Sequence, residues 1–407
     1  MRHSKPLVSF SQCFLYLTLL LVAAAAVSAQ TGTALYSFTG GADGSWPKAG
    51  VVVGPDGALY GATQYGGANQ FGTVYRVAQN PDGTWSETVI YSFTDVNDGA
   101  GPIGPITFDA AGNVYGTTAF GAPGVGTVFK LSPNGNGTWS GTMLYSFSGG
   151  ADGKQPMSGV TIDKGGNLYG TTLYGGLGSG VLYKLSPNAN GTWTETVVHA
   201  FGASGDGYYP STEILVDAAG NLYGATSGGG GSTDAGVVYE FSPNANGSWT
   251  ENILYTFTGK KDGAVPTSLI FDKVGHLFGT AGSGGITGGT CGNGCGTVFR
   301  LAQLAGVWVF NPVYTFNGTT GAQPNDLAFD SKGNLFGTTL DGGVNYGVVF
   351  ELKHNPTGHA WTYTQLYNFG PNGGVDPVSL VVKKGILYGT TYTGPCYLCG
   401  TVWEVTP

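Results

Sequence analysis

One aromatic position returns along this chain at a nearly constant interval. Tyr36, Tyr91, Tyr145, His199, Tyr255, Tyr314 and Tyr367 each sit in an LYSF-like segment, with gaps of 55, 54, 54, 56, 59 and 53 residues. Repeat units therefore begin near residues 35, 90, 144, 198, 254, 313 and 366. A fixed period of this length is the signature of a repeat architecture. A tryptophan precedes the aromatic by six residues in all but the first unit, at Trp85, Trp139, Trp193, Trp249, Trp308 and Trp361. Six is an even step, so the two rings are expected to share one face of a strand.

Each unit holds four strand-like runs separated by turn residues. In the second full unit these are GPITFD, GNVYGTTAF, GTVFKLSP and GTWSGTMLYSF. The link between the first two is DAAG at Asp109–Gly112, with near-copies opening at Asp163, Asp217 and Asp330. An Asp three residues before a Gly suits a short hairpin whose Gly takes a positive φ and whose Asp accepts backbone N–H groups. Gly54 and Val382 hold the Asp place in the first and last units. The recurring DxxGN is thus read as a corner of the chain, not as a catalytic motif. No stretch shows capped helical periodicity.

Seven four-stranded units predict an all-β, seven-bladed β-propeller. The last unit stops after its third strand, GTVWEV, while the chain opens on an orphan fourth strand, TGTALYSF. Pairing the two would close the ring and leave no free edge. An open solenoid would have no need of complementary ends.

Residues 1–29 read as a signal peptide. Arg2 and Lys5 precede an apolar run from Phe14 to Val27, and Val27 and Ala29 flank Ser28, so cleavage is expected after Ala29. The run is short for a membrane span. Gln12 before Cys13 does not suit lipidation. The expected organisation is therefore one propeller over residues 30–407, secreted or periplasmic, with no membrane span after cleavage. The formal charge of −8 becomes about −10 without Arg2 and Lys5. Such a surface suits neither nucleic acid nor anionic membranes. Charged residues are 10% of the chain and glycines number 74. A typical domain carries about 25% charged residues, so this composition points to sheets covered on both faces and joined by tight turns.

The pattern DxxGNLYGTTxxGG…GTVFKLSPNxNGTWxExxLYSF resembles the GloVer-type tandem repeats of secreted bacterial proteins, over essentially all of residues 30–407. The resemblance implies the propeller fold and secretion, and it implies no activity. Some relatives carry C-terminal surface anchors; here the repeats run to GTVWEVTP.

Alternating strand direction puts the DxxG and SPNxNG corners on one face. The opposite face, here called the top, carries the loops between second and third strands and those between blades. Function on a repeat scaffold sits on its variable loops. Two residues past the second Thr of YGTT stand Tyr65, Phe120, Tyr174, Gly228, Ser283, Asp341 and Thr393. Blades one to three thus offer an aromatic crescent, with Asn69, Asp341 and Asn345 as polar neighbours. Flat rings beside amides and carboxylates suit a sugar, whose C–H face stacks while its hydroxyls bond. Equally, the rings can simply cover glycine-rich loops. Trp46, Tyr208 and Tyr209 would extend the surface.

The inter-blade loops carry Asp43, Asp98, Asp152, Asp206 and Asp262, with Asp376 offset. Oxygen-rich loops can hold Ca2+, but one carboxylate per loop favours an Asp-Gly turn, and no cofactor or metal is expected. Cys291 and Cys295, and Cys396 and Cys399, precede GTV in blades five and seven. An exported chain would pair each locally as a disulfide, in preference to a four-cysteine zinc site or a redox CxxC. Of the histidines, His199 replaces the strand tyrosine, His276 replaces the corner Asn, and His354 and His359 fall in a solvated turn. No nucleophile elbow, zinc-protease helix or phosphate loop is present. The expected function is a monomeric, non-enzymatic binding protein for extracellular or cell-envelope glycan, with protein ligands nearly as well suited. Alternatives are a hydrolase or lyase using Asp341 with Asp234 or Asp376, and a structural exoprotein.

Overall fold

The computed structural model describes residues 31–121, 125–286, 291–355, 360–371, 374–394 and 399–407. The signal segment, His359 and Cys396 lie outside the described residues. Seven antiparallel sheets follow one another along the chain. Blade one is typical, with Val51–Val53 innermost, then Leu59–Thr63, Thr73–Gln79 and Trp85–Ser92 at the outside. In blade four the inner strand is split into Gly207–Pro210 and Leu215–Val216, both paired with Leu222–Gly229. The N-terminal strand Gly32–Ser37 pairs antiparallel with Thr401–Val405 and completes blade seven. The ring therefore closes as the complementary ends predicted.

The DxxGN corner is built as its residues dictate. Asp163 N–H donates to the Asn167 carbonyl, and Gly166, at φ +79°, donates back to Asp163. The Asp163 carboxylate accepts the N–H groups of Gly165 (2.8 Å) and Asn167 (2.9 Å), the Asn167 amide (2.8 Å) and the Tyr169 hydroxyl (3.2 Å). Asp109 and Asp217 repeat all four contacts. Blade one lacks the first Asp and uses Asp56, two positions on, to hold Ala58 N–H and the Tyr60 hydroxyl. Blade seven turns more tightly: Lys383 pairs with Ile386 across Lys384 (φ 52°) and Gly385 (φ 81°), the geometry of a two-residue primed turn.

The core lies in the seams between blades. One cluster joins Phe38, Tyr388 and Val402 of blade seven to Val51, Leu59, Tyr75 and Val77 of blade one, and six others repeat the arrangement. The glycine of each LYG tripeptide is required by this packing. A Cβ on Gly170 would lie 2.4 Å from the Tyr183 hydroxyl, and one on Gly116 would lie 2.6 Å from the Phe129 ring.

One expectation fails. Trp85 and Tyr91 do not share a face, because the pairing register shifts between Val74 and Tyr75 and leaves Ile90 bulged. Trp85 packs toward blade seven and Tyr91 toward blade two. The same one-residue shift occurs at Leu35, Leu144, Val198, Leu254, Val313 and Leu366. A bulge turns the following side chain to the other face, so each outer strand feeds both of its seams.

The seams differ in polarity in a paired way. Where the residue two after the tryptophan is Glu (Glu87, Glu195, Glu251), the third-strand ring is a tyrosine (Tyr75, Tyr183, Tyr239). Where it is Gly141, Phe310 or Tyr363, the ring is Phe129, Phe299 or Phe350. Three seams thus carry a buried carboxyl and phenol, and the others carry rings or a glycine.

Candidate functional site on the top face

Every blade begins on the top face with a proline: Pro47, Pro102, Pro156, Pro210, Pro266, Pro324 and Pro377. The residue before it is left-handed in all seven, namely Trp46 (φ 55°), Gly101 (66°), Gln155 (56°), Tyr209 (57°), Val265 (58°), Gln323 (56°) and Asp376 (56°). Only one is glycine, and a non-glycine residue held there costs about 1–3 kcal/mol. The backbone explains what opposes that cost. The N–H groups of Gly101, Gln155, Tyr209, Val265 and Gln323 each bond a carbonyl in the preceding blade's top loop, at Phe71, Val125, Ser179, Ala235 and Cys295. The strained residue is a latch between blades, and its side chain is left free to vary around the mouth of the ring.

These side chains join the predicted crescent. Tyr65, 41% exposed, meets Trp46 edge-on at 5.1 Å, and Trp46 meets Tyr392 at 4.9 Å. Tyr174 meets Tyr209 at 5.5 Å, and Tyr209 meets Tyr208 at 4.9 Å. The ammonium of Lys154 lies over Tyr174 and that of Lys48 over Tyr392. Phe120, 40% exposed, stands apart from these pairs, against the bare backbone of Gly101.

The polar neighbours divide. Asp341 is exposed, accepts Gly342 N–H at 2.6 Å, and lines a funnel of about 580 Å³ with Asp376, Gln323, Asn325, Lys48 and Tyr392. Asn69 instead donates to the Phe93 carbonyl at 3.1 Å and ties its loop to the outer strand. Asn345 is exposed at a turn with φ 74°. Neither amide lines the funnel. Asp234 holds the Tyr208 hydroxyl and Gly229 N–H.

The funnel shares Lys48, Thr267, Asn325 and Val378 with a central channel of about 490 Å³ walled by the innermost strands. Burial and then the charge of Asp341 raise the Asp376 carboxyl above its usual range, and burial lowers the Lys48 ammonium. Deeper in, Glu213 keeps accessible surface on the channel wall while protein surrounds it on every side; that burial and the neighbouring Asp326 push it to about 7. Asp326 is pushed to about 6 by burial, against the N–H groups of Leu380 and Leu327.

The inter-blade aspartates take structural work. Asp98 accepts the Tyr91 hydroxyl (2.7 Å) and both N–H and hydroxyl of Thr94 (2.8 Å each). Cys291 and Cys295 form the expected disulfide. Cys399 is buried and disulfide-bonded, while its expected partner Cys396 lies outside the described residues.

Fold and loop placement define a propeller whose structural motifs occupy one face and whose variable side chains occupy the other. The chain belongs to the Gloeobacter/Verrucomicrobia repeat family, which it matches over residues 24–230 and 177–403. No curated protein matches it. Among solved structures it is similar to a protein from Bacteroides uniformis assigned as a 6-phosphogluconolactonase, at 13% identity and TM-score 0.52, over 79% of this chain and 84% of that one. A luciferin-regenerating enzyme aligns at 13% identity and TM-score 0.44, over 77% and 92% of the two chains. A PQQ-bound aldose sugar dehydrogenase from Streptomyces coelicolor aligns at 14% and 0.45, over 92% and 98%. At these identities the likeness is one of fold.

Proposed function

We propose that this chain is an exported, monomeric, non-enzymatic propeller that binds extracellular or cell-envelope glycan on its top face. One observation carries the reading. The ring pair Trp46–Tyr65 adjoins Tyr392, which lines the funnel together with Asp341, Asp376, Gln323 and Asn325, and Tyr174–Tyr209 forms a second ring pair on the same face. A concave site with aromatic surface and a few convergent polar groups suits a small polar ring system. Exposed tyrosines supply contact area at little entropic cost. The test is affinity electrophoresis against a panel of polysaccharides and envelope glycans, beside Tyr65→Ala/Tyr174→Ala. Retardation of the parent and not of the folded variant supports the reading. Equal retardation, or none across the panel, overturns it in favour of a protein ligand or a structural role.

A second reading is favoured by the carboxyl pair. Asp376 is raised beside Asp341 in the same funnel, and a raised carboxyl near a second one is part of the equipment of a glycoside hydrolase. Release of reducing ends by the parent, abolished by Asp376→Asn, would establish it. Binding without release would exclude it for the glycan tested.

A further inference from the structure

The seam between blades three and four departs from its sisters at two residues. In the seams before blades one and three, a tyrosine hydroxyl donates to the loop aspartate: Tyr36 to Asp43 at 2.9 Å and Tyr145 to Asp152 at 3.1 Å. A hydroxyl from Thr39 or Ser148 also binds that aspartate, at 2.6 and 2.5 Å. Between blades three and four the tyrosine is His199 and the hydroxyl residue is Gly202. Two hydroxyl donors have been exchanged for one imidazole.

The remaining groups are short of donors. His199 Nε2 lies 2.9 Å from the Asp206 carboxylate, which also receives Gly202 N–H (3.1 Å) and Gly207 N–H (2.6 Å). Glu251 reaches in from blade four beside Asp206, and one of its oxygens is buried without a donor, as is one oxygen of Glu87 and of Glu195 in the sister seams. The Tyr239 hydroxyl, wholly buried like those of Tyr75 and Tyr183 in the sister seams, has no hydrogen-bond partner either, and here the charges of Asp206 and Glu251 bear on it. The imidazole nitrogen and one oxygen from each carboxylate all lie within 4.8 Å of one another, the one such group among the described residues. Two carboxylates this close are relieved by a shared proton or by a cation, and His199 gives this seam a ligating nitrogen that its sisters, with Tyr36 and Tyr145, lack.

We propose that His199, Asp206 and Glu251, with the Tyr239 hydroxyl beside them, form a site for one zinc-class divalent ion that clasps blade three to blade four. A tetrahedral ion bound at about 2.0–2.1 Å holds its ligands roughly 3.4 Å apart, inside the 4.8 Å limit that encloses the three ligand atoms here. One imidazole with two carboxylates is a borderline ligand set that favours such an ion over Ca2+ or Mg2+. Phe201 and Phe241 flank the imidazole at 4.8 Å and hold the ring in place.

The experiment uses the full secreted chain, stripped with chelator and titrated with Zn2+ alone against a chromogenic competitor, with melting followed in parallel. The parent takes up one equivalent and melts higher with Zn2+. His199→Tyr, which restores the residue of the sister seams, melts as the stripped parent does and loses affinity by roughly 100-fold or more. Glu251→Gln does the same and decides the matter should His199→Tyr fail to fold. Absence of binding to the parent at micromolar Zn2+ would overturn the proposal. So would an undiminished equivalent in both variants, which would place the metal at His276 or His354.

Discussion

Replacing Asp163 by alanine separates geometry from chemistry in the recurring motif. The carboxylate accepts two backbone N–H groups, one amide and one phenol. Burial alone would raise it, but the Asn167 amide and these backbone donors overcome that and hold it below the usual carboxylate range. Hydrogen bonds to a charged group contribute about 1.5–3 kcal/mol where buried. This corner is partly exposed, and water replaces several of them, so a total of about 2–3 kcal/mol is expected. Unfolding entropy near 2.1 cal/mol/K per residue amounts to roughly 0.8 kcal/mol/K for a propeller of this size. Asp163→Ala should therefore lower the calorimetric Tm by about 3 °C at neutral pH. The sign with pH follows from the depressed carboxyl: its stabilisation is complete above the unfolded value near 4 and is lost as pH falls through the folded value. Parent and variant should thus converge in acid. A Tm unchanged at pH 7, or a gap that persists at pH 2, would refute the structural role of the corner.

Four further outcomes are expected. Glu87 and Glu195 are pushed to about 7 by burial and by Asp43 and Asp152; their folded values exceed the unfolded one, so each favours folding less as pH rises from about 4.5 to 7. Glu87→Gln should gain in urea-unfolding stability relative to the parent at pH 8 and not at pH 4.5, and an equal change at both would contradict this. Val265→Gly should stabilise by about 0.5–1 kcal/mol by relieving a β-branched residue at φ 58°; a loss in chemical denaturation would show that the side chain packs at the mouth. Cys291→Ser/Cys295→Ser should cost up to about 2 kcal/mol, the loop-entropy value for so short a ring, and a larger loss would mean the loop carries more than its own order. Deleting residues 30–38 removes the strand paired with Thr401–Val405 and the buried Phe38, and should abolish cooperative melting; a sharp transition in the truncated chain would count against closure by that strand.

The blade count, the closing strand, the DxxGN corner and the local disulfide were legible because each rests on short-range chemistry repeated at a fixed interval. A hairpin needs its Gly and its acceptor wherever it occurs, and four copies made the rule visible. The bulge was not legible. Ile90 and its six counterparts are ordinary apolar residues, and an inserted residue shows itself only against the partner strand. The left-handed residue before each proline leaves a signal in the sequence: a Pro in all seven blades, preceded by residues as unlike as Trp46, Val265 and Asp376. Its left-handed backbone is set by carbonyls in the neighbouring blade, which no local pattern encodes. The top-face candidates were legible for the converse reason. Tyr65, Tyr174 and Asp341 stand out as departures from the repeat, whereas nothing in the sequence shows that Asn69 is tied to the Phe93 carbonyl.

If the repeated motif builds the molecule and the proposed top-face site binds, mutation should separate the two. The direct test runs two double variants in one glycan-binding titration with calorimetry: Asp163→Ala/Asp217→Ala on the bottom face and Tyr65→Ala/Tyr174→Ala on the top. The bottom-face variant is expected to melt lower and bind as the parent does; the top-face variant is expected to keep its Tm and lose binding. Lost binding in the bottom-face variant with an unchanged Tm would contradict the account.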